Sequence, residues 1–345
     1  MTQQNVHPSS RAAVVGTVSF YLVAALAMVI ANKWVLNTTT VPLFFLLSQL
    51  VIAVLLFLVS HVVGIVKVPL HVNIALIKGL APMIALNVVG LSSNNYTLKY
   101  VDTSFYQVAR GLVLPLTVLT SFIFLNTRPS IRILLSCSIV TVGFFVGVFL
   151  DGTHVSTLGI VFGVASSLMT ALHAVVMKRS LDVVGGSALH LSWYSNLLSA
   201  VVLAPCVLFA GEGSSVMDLL YRRQGLATFI TGSTITGALG FLMSIASTLS
   251  IKITSPITHM ISSAIRGVAA SLLGMWIFHD VVSSGRVWAI AIILTGSLHY
   301  TWIKHTESPP ASPTKPSYER VSLEDLEAVE KGVMNGAAGR RGHPS

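Results

Sequence analysis

Residues 42–64, PLFFLLSQLVIAVLLFLVSHVVG, form a continuous apolar run with no Asp, Glu, Lys or Arg. A helix that spans a bilayer needs roughly 20 apolar residues to cross about 30 Å of hydrocarbon. A transmembrane barrel strand would instead alternate apolar and polar residues. The run therefore predicts a transmembrane helix. Nine similar runs lie at about 14–32, 74–96, 103–126, 131–150, 157–177, 189–209, 226–248, 256–278 and 285–303.

The composition of the whole chain agrees with a membrane protein. Of its 345 residues, 53% are hydrophobic and only 10% are charged, with a mean hydropathy of +0.80. A soluble domain carries about 25% charged residues. The first apolar run is too long for a cleavable signal peptide and is interpreted as the first span. The two cysteines offer neither a disulfide framework nor zinc spacing, so we expect no metal and no cofactor.

The ten runs predict an all-α membrane protein with two inverted five-helix repeats, at about 14–151 and 157–304. Residues 1–13 are expected to form a short cytosolic N-terminal segment before the ten-helix membrane domain at 14–304. Residues 305–345 contain SPPASPTKPSYER and are expected to form a disordered tail. With both termini in the cytosol, 14 basic residues fall on the cytosolic side and 5 on the opposite side. The positive-inside rule therefore favours cytosolic termini.

Two arginines lie inside predicted spans, each on the fourth helix of its half. Arg110 follows VDTSFYQVA and Arg266 follows ITSPITHMISSAI. A charge near the bilayer centre costs about 2.5–3.5 kcal/mol even on the mildest scale, so it faces a cavity or a partner. No span interior contains a carboxylate, although Asp102 and Asp280 near span ends are possible partners. Snorkelling or bonding to backbone carbonyls is the structural alternative.

An anionic ligand with two phosphates fits this arginine pair, because guanidinium binds phosphate through two parallel hydrogen bonds. The absence of a buried acid also favours exchange of anions over proton symport. Aromatic and amide side chains close to span ends are candidates for contact with a nucleobase. An interfacial aromatic belt is the alternative for this set. The candidates are Asn95, Lys99, Tyr106, Gln107, Tyr194 and Asn196.

Three stretches carry a resemblance to a known family: LKYVDTSFYQVARG (98–111), SWYSN (192–196) and SIKITSPITHMISSAIRG (250–267). They resemble the nucleotide-sugar transporters of the drug/metabolite transporter superfamily, and most of all those of the GDP-fucose type. The resemblance implies ten helices in inverted repeats, residence in the Golgi membrane, and exchange of nucleotide sugar for nucleoside monophosphate. It also implies substrate contacts at Thr258, His259 and Ser263, which stand in its TSP-TH-S pattern.

The alternatives from the sequence differ in substrate or in class. The endoplasmic reticulum is the alternative compartment, and another sugar nucleotide, such as UDP-xylose, or a phosphorylated triose is the alternative cargo. A non-transporting scaffold would not need two arginines at mid-membrane. No catalytic spacing is visible, so we do not expect an enzyme. The basic residues are spread over short loops, which argues against nucleic acid as a partner. The expected partners are nucleotide sugar, nucleoside monophosphate, membrane lipid and, as a possibility, a second copy in a homodimer.

Overall fold

The computed structural model of the chain describes residues 11–150, 155–253, 256–280 and 283–307. These residues contain no strand and form twelve helices. The helices are α1 (Arg11–Thr38), α2 (Pro42–Val62), α3 (Ile74–Tyr100), α4 (Thr103–Gly111), α5 (Val113–Leu125), α6 (Ile131–Phe149), α7 (Thr157–Val183), α8 (Ala188–Phe209), α9 (Gly213–Arg222), α10 (Leu226–Ile253), α11 (Pro256–Phe278) and α12 (Ser284–Glu307).

The helices coincide with the apolar runs of the sequence. Each run has a helix, the run at 103–126 is divided into α4 and α5, and the short helix α9 was not predicted. Among the described residues, 7 helical stretches are long and apolar enough to cross a membrane. Shorter apolar stretches lie at Leu22–Thr38 and Gly267–Phe278. The all-helical, multi-span class is therefore confirmed, whereas the ten-span inverted repeat stays a prediction. The tail prediction falls on residues mostly outside the described part.

Local chemistry fixes where several helices begin. The side chains of Asn73, Ser130, Ser156 and Ser187 each accept a hydrogen bond from the backbone N–H three residues later. Such a cap satisfies one of the four N–H groups that the first turn of a helix leaves without a partner. The polar residue before each of these apolar runs therefore has a specific structural purpose.

The helices pack through several large interfaces. The α3 helix packs extensively on α7, which also contacts α4 and α5. The α1 and α2 helices pack on α10, α2 also packs on α8, and α11 packs on both α1 and α4. Glycines allow close approach between helices: a Cβ built on Gly90 of α3 would lie 3.2 Å from Met169 Cβ of α7. Small residues at such interfaces are typical of membrane helices, whose association depends on close packing.

One end of the protein gathers the junctions α1–α2, α3–α4, α8–α9 and α11–α12. Hydrogen bonds join them: Lys33 of α1 donates to the Leu98 carbonyl of α3 at 2.8 Å, and the Thr103 N–H donates to Asp280 at 2.8 Å. We call this side the Thr103 end. At the opposite end, Trp193 Nε1 of α8 donates to the Pro69 carbonyl in the α2–α3 connection at 2.8 Å.

Candidate functional site

Arg110 lies on a broken helix. It stands in the last turn of α4, and the chain breaks at Leu112, where the N–H of Leu112 donates to the Ala109 carbonyl at 3.2 Å, three residues back. Pro115 explains the break, because it has no N–H to donate to the carbonyl of Gly111. The proline therefore interrupts the backbone hydrogen bonding from residue i to residue i−4. Arg110 lies at this interruption, inside the span Thr103–Leu125.

The neighbouring helix α7 binds one of the backbone carbonyls at the break. The Ser167 hydroxyl of α7 donates to the Ala109 carbonyl at 2.8 Å. A Cβ built on Gly163 would lie 2.8 Å from Ala109 Cβ, so a glycine is needed for α7 to approach this closely. Interrupted helices are tolerated at membrane depth where surrounding helices supply such bonds. The α7 helix therefore packs directly against the break and binds its backbone.

Tyr106 holds the guanidinium group of Arg110. The Arg110 Nη1 atom donates to the Tyr106 hydroxyl at 2.9 Å, and the guanidinium carbon lies 5.6 Å from the centre of the tyrosine ring. Tyr106 itself is only 2% exposed, whereas Arg110 is half-buried. At 1.5 Å per residue, Arg110 lies about 10 Å from the start of α4. The structure thus places two of the predicted site residues in direct contact.

Gln107 faces α11, the helix that carries Arg266. A Cβ built on Gly267 would lie 3.7 Å from Gln107 Oε1. The α11 backbone therefore reaches the site at the residue directly after Arg266. The structure describes no side chain between residues 244 and 266, so the predicted roles of Thr258, His259, Ser263 and Arg266 fall outside the described side chains and stay predictions.

The acids near the site have other partners at the Thr103 end. Asp102 forms a salt bridge with Arg286 of α12 at 2.7 Å, and Arg286 also donates to the Ser104 hydroxyl at 2.9 Å. Asp280 accepts the Thr103 N–H at the first turn of α4. Burial raises the pKa of Asp280, and this bond, with the charge of Lys33, opposes that shift by stabilising the anion.

The role of Arg286, at the edge of the predicted span 285–303, was not foreseen from the sequence. The structure shows Arg286 only 2% exposed at the start of α12. The acids Asp102 and Asp280, each near a span end, were the available signal that a buried cation had to stand nearby. The pairing of one acid with one distant arginine is set by tertiary packing, which spacing along the chain does not reveal.

Asn95 and Lys99 lie toward the Thr103 end, six and two residues before Val101. The Asn95 side chain donates to the Pro42 carbonyl at 3.2 Å, and Lys99 Nζ donates to the Thr40 carbonyl at 3.4 Å. Both bonds join the end of α3 to the α1–α2 junction. In the structure both residues therefore connect helix ends, and their role in substrate binding stays a prediction.

Tyr194 and Asn196 lie on the first turns of α8, in the part of the protein opposite the Thr103 end. Tyr194 is 2% exposed, and its hydroxyl donates to the His71 carbonyl at 2.9 Å. The Asn196 amide donates to the Ser192 carbonyl one turn back at 2.8 Å. With Trp193, Tyr194 ties α8 to the α2–α3 connection. Whether either residue meets a nucleobase stays a prediction.

Comparisons with known proteins decide the family. The model of the triose-phosphate transporter family matches residues 13–301, which covers nearly all of the helical part of the chain. The chain belongs to this transporter family. It is accordingly a transporter and not an enzyme. No group of three or more His, Cys, Asp or Glu side chains suited to a metal occurs among the described residues.

Individual relatives confirm the resemblance inferred from the sequence. The chain is 30% identical over 303 residues to GDP-fucose transporter 1 of Mus musculus, covering 84% of this chain and 83% of the relative. It is 31% identical over 305 residues to the Golgi GDP-fucose transporter of Drosophila melanogaster, covering 84% and 89%. For the GDP-fucose transporter of Caenorhabditis elegans the values are 30% over 339 residues, 93% and 92%.

A solved crystal structure shares the fold. It aligns with a TM-score of 0.52 at 16% sequence identity and covers 87% of this chain and 100% of that chain. At this level of identity the match concerns the arrangement of helices alone.

Proposed function

We propose that the protein is an antiporter that exchanges a cytosolic nucleotide sugar of the GDP-fucose type for lumenal nucleoside monophosphate across the Golgi membrane. The observation that carries the proposal is the site on α4: Arg110, oriented by Tyr106 at a helix break, beside Gln107, which faces α11 next to Arg266. Relatives named as GDP-fucose transporters, one of them assigned to the Golgi, support the substrate and the compartment.

The chemistry of this site suits a pyrophosphate. Two arginines on α4 and α11 would bind its oxygens through paired, charge-assisted hydrogen bonds, which are about twice as strong as neutral ones. The Gln107 amide adds a donor that can reach a phosphate or sugar oxygen. Thr258, His259 and Ser263 precede Arg266 on α11 and would extend the site along that helix. Tyr194, Asn196, Asn95 and Lys99 complete the proposed set as contacts of the base or of the entrance.

The proposed architecture has ten spans in two inverted five-helix repeats, with α4 and α5 acting as one span and α9 lying outside the membrane. Both termini would then face the cytosol, in agreement with the distribution of basic residues. The Thr103 end would face the lumen. Membrane lipid would surround the helices, and a homodimer is compatible with this layout.

A phosphorylated triose is the second candidate substrate, favoured by the family model that matches residues 13–301. It carries a single phosphate and no base. Competition by free nucleoside monophosphates separates the two cases, because they would compete with a nucleotide sugar and not with a small sugar phosphate.

The test measures counterflow of labelled nucleotide sugar in proteoliposomes. It compares the wild-type protein with variants that each lack one arginine charge. Arg110→Gln and Arg266→Gln should abolish uptake and leave a monodisperse protein, because glutamine relieves the cost of burying a charge. Arg266→Lys should retain part of the activity, since the charge survives without the paired donors. Arg222→Gln is the matched control, because Arg222 is exposed on α9 and pairs only at the surface with Asp218. Normal counterflow by well-folded Arg110→Gln and Arg266→Gln would refute the proposed site.

A further inference from the structure

Helix α9 differs from the membrane spans in length and in character. It has 10 residues, GSSVMDLLYR, and connects the end of α8 to the start of α10 at the Thr103 end. At 1.5 Å per residue it is about 15 Å long, half of the roughly 30 Å of hydrocarbon in a bilayer. Its apolar and polar side chains lie on different sides, which makes the helix strongly amphipathic. Helices of this kind lie at the boundary between water and lipid chains.

One side of α9 packs on the rest of the protein. Leu219 is buried and belongs to an apolar cluster at the Thr103 end. That cluster also contains Val35 of α1, Val41 directly before α2, and Phe229 of α10. Glu212, directly before α9, accepts hydrogen bonds from the first N–H groups of α2. The helix therefore lies across the ends of α1, α2 and α10 rather than extending away from them.

A second side of α9 is polar and lines a cavity at the protein surface. Ser215, Asp218 and Arg222 face this cavity together with Thr38–Val41 of the α1–α2 junction. The cavity has a volume of about 450 Å³. Asp218 and Arg222 form an exposed ion pair at 3.3 Å. Because charged groups without burial keep their hydration, this side of the helix faces water.

The third side of α9 is apolar and exposed. Met217, Leu220 and Tyr221 are neighbours on the helix surface and are 50%, 48% and 79% exposed. Gly213 lies on the same side, four residues before Met217, and a Cβ built on it would lie 4.0 Å from Leu208 Cδ2. Leu208 is itself exposed in the last turn of α8, where a span ends. The apolar side of α9 thus continues the outer surface of a membrane span.

We propose that α9 is a membrane-surface anchor, whose apolar side of Met217, Leu220 and Tyr221 rests in the boundary between headgroups and acyl chains at the Thr103 end. The partner is the phospholipid surface, because this side is continuous with the lipid-facing end of α8. Tyr221 suits this depth, since its ring is apolar and its hydroxyl can reach the headgroups. Through Leu219 and Glu212 the anchor fixes the ends of α1, α2 and α10 relative to the membrane surface. The proposal does not depend on which substrate the protein carries.

Single cysteines on different sides of α9 test this placement, in a chain whose two native cysteines are replaced by serine. Met217→Cys and Leu220→Cys report on the apolar side, and Asp218→Cys is the matched control on the polar side. All three side chains are exposed in the protein, so only the surroundings of the three thiols should differ. Val201→Cys is the lipid reference, because Val201 is exposed in the middle of the α8 span.

The measurement uses phosphatidylcholine nanodiscs, in which both membrane surfaces are accessible, and a fluorophore on each cysteine. Brominated acyl chains should quench the labels at Met217 and Leu220 about twofold more strongly than the label at Asp218, because the apolar side lies in the lipid. Iodide in the buffer should quench the three labels in the reverse order. Alkylation of the unlabelled thiols by a charged maleimide should also be slower at Met217 and Leu220 than at Asp218, since the thiolate does not form in lipid.

Two results would overturn the anchor. If iodide quenches all three α9 labels equally and brominated lipid quenches none of them, α9 stands in water. If the thiols at Met217 and Leu220 react slowly but brominated lipid does not quench their labels, protein rather than lipid covers this side, as it would at a contact with a second copy. Neither readout involves transport, so failure of the anchor leaves the proposed exchange function unchanged.

Discussion

Replacing the buried carboxylate of Glu212 should lower the stability of the protein far more than replacing an exposed one. It is 6% exposed between α8 and α9, and its two oxygens accept the N–H of Leu43 at 3.0 and 3.1 Å and that of Phe44 at 2.9 Å. The Tyr96 hydroxyl donates to the same carboxylate at 3.3 Å. These N–H groups belong to the first turn of α2, which begins at Pro42. The Glu212 carboxylate therefore caps the N-terminus of α2, although the two lie far apart in the sequence.

The change Glu212→Gln keeps the shape and removes the charge. Glutamine retains one side-chain oxygen as an acceptor. Its NH2 group would face a backbone N–H and cannot accept a hydrogen bond from it. A hydrogen bond to a charged group contributes about 1.5–3 kcal/mol, and an anion at a helix N-terminus adds about 0.3–1 kcal/mol. Losing one such bond together with the charge should cost about 2–4 kcal/mol. At about 2 °C per kcal/mol for a chain of this size, the melting temperature should fall by about 4–8 °C.

The assay is thermal unfolding of the purified protein in detergent, followed by intrinsic fluorescence. Asp218→Asn is the control: Asp218 is on the next helix, and its pair with Arg222 at 3.3 Å has side chains 65% and 74% exposed. Exposed pairs contribute about 0–1 kcal/mol, so this variant should melt within about 2 °C of wild type. Equal melting of Glu212→Gln and wild type would refute the capping argument.

Three further predictions concern the site and the topology. Tyr106→Phe should raise the KM for nucleotide sugar about tenfold, because the Arg110 guanidinium loses a hydrogen bond worth about 1.4 kcal/mol; an unchanged KM would show that Tyr106 does not orient Arg110. Tyr194→Ala and Asn196→Ala should weaken competition by free nucleoside monophosphates, with Tyr194→Phe as the control for the bond to His71; undiminished competition would favour the purely structural interpretation. A tag after Ser345 should be open to antibody when only the plasma membrane is permeabilised, and access only after the Golgi membrane is opened would contradict cytosolic termini.

The sequence predicts the helices well because their length and apolar character follow from the bilayer itself. The run 42–64 corresponds to α2 at Pro42–Val62, and the run 226–248 to α10 at Leu226–Ile253. The split between α4 and α5 was not predicted, although Pro115 is the residue that causes it. Another proline, Pro82, lies inside the uninterrupted helix α3, so the presence of a proline in a span does not by itself predict a break.

The site is predictable only in part. Tyr106 and Gln107 stand four and three residues before Arg110, and the helical repeat brings both to positions next to it. Arg286 and Glu212 act on helices 184 and 169 residues away, through bonds to Asp102 and Leu43. Such pairs depend on how helices pack, and a local pattern does not contain that information. In the sequence Glu212 lies outside the predicted spans, and Arg286 lies at the edge of one.

The most direct test of the central claim is counterflow by the wild-type protein against a panel of substrates. Proteoliposomes preloaded with GMP, UMP or inorganic phosphate would be offered labelled GDP-fucose, UDP-xylose or a phosphorylated triose. The account predicts uptake of a nucleotide sugar, highest for GDP-fucose against GMP, and little uptake into empty vesicles. Uptake of the triose alone, or nucleotide-sugar uptake that does not depend on an internal nucleotide, would contradict it.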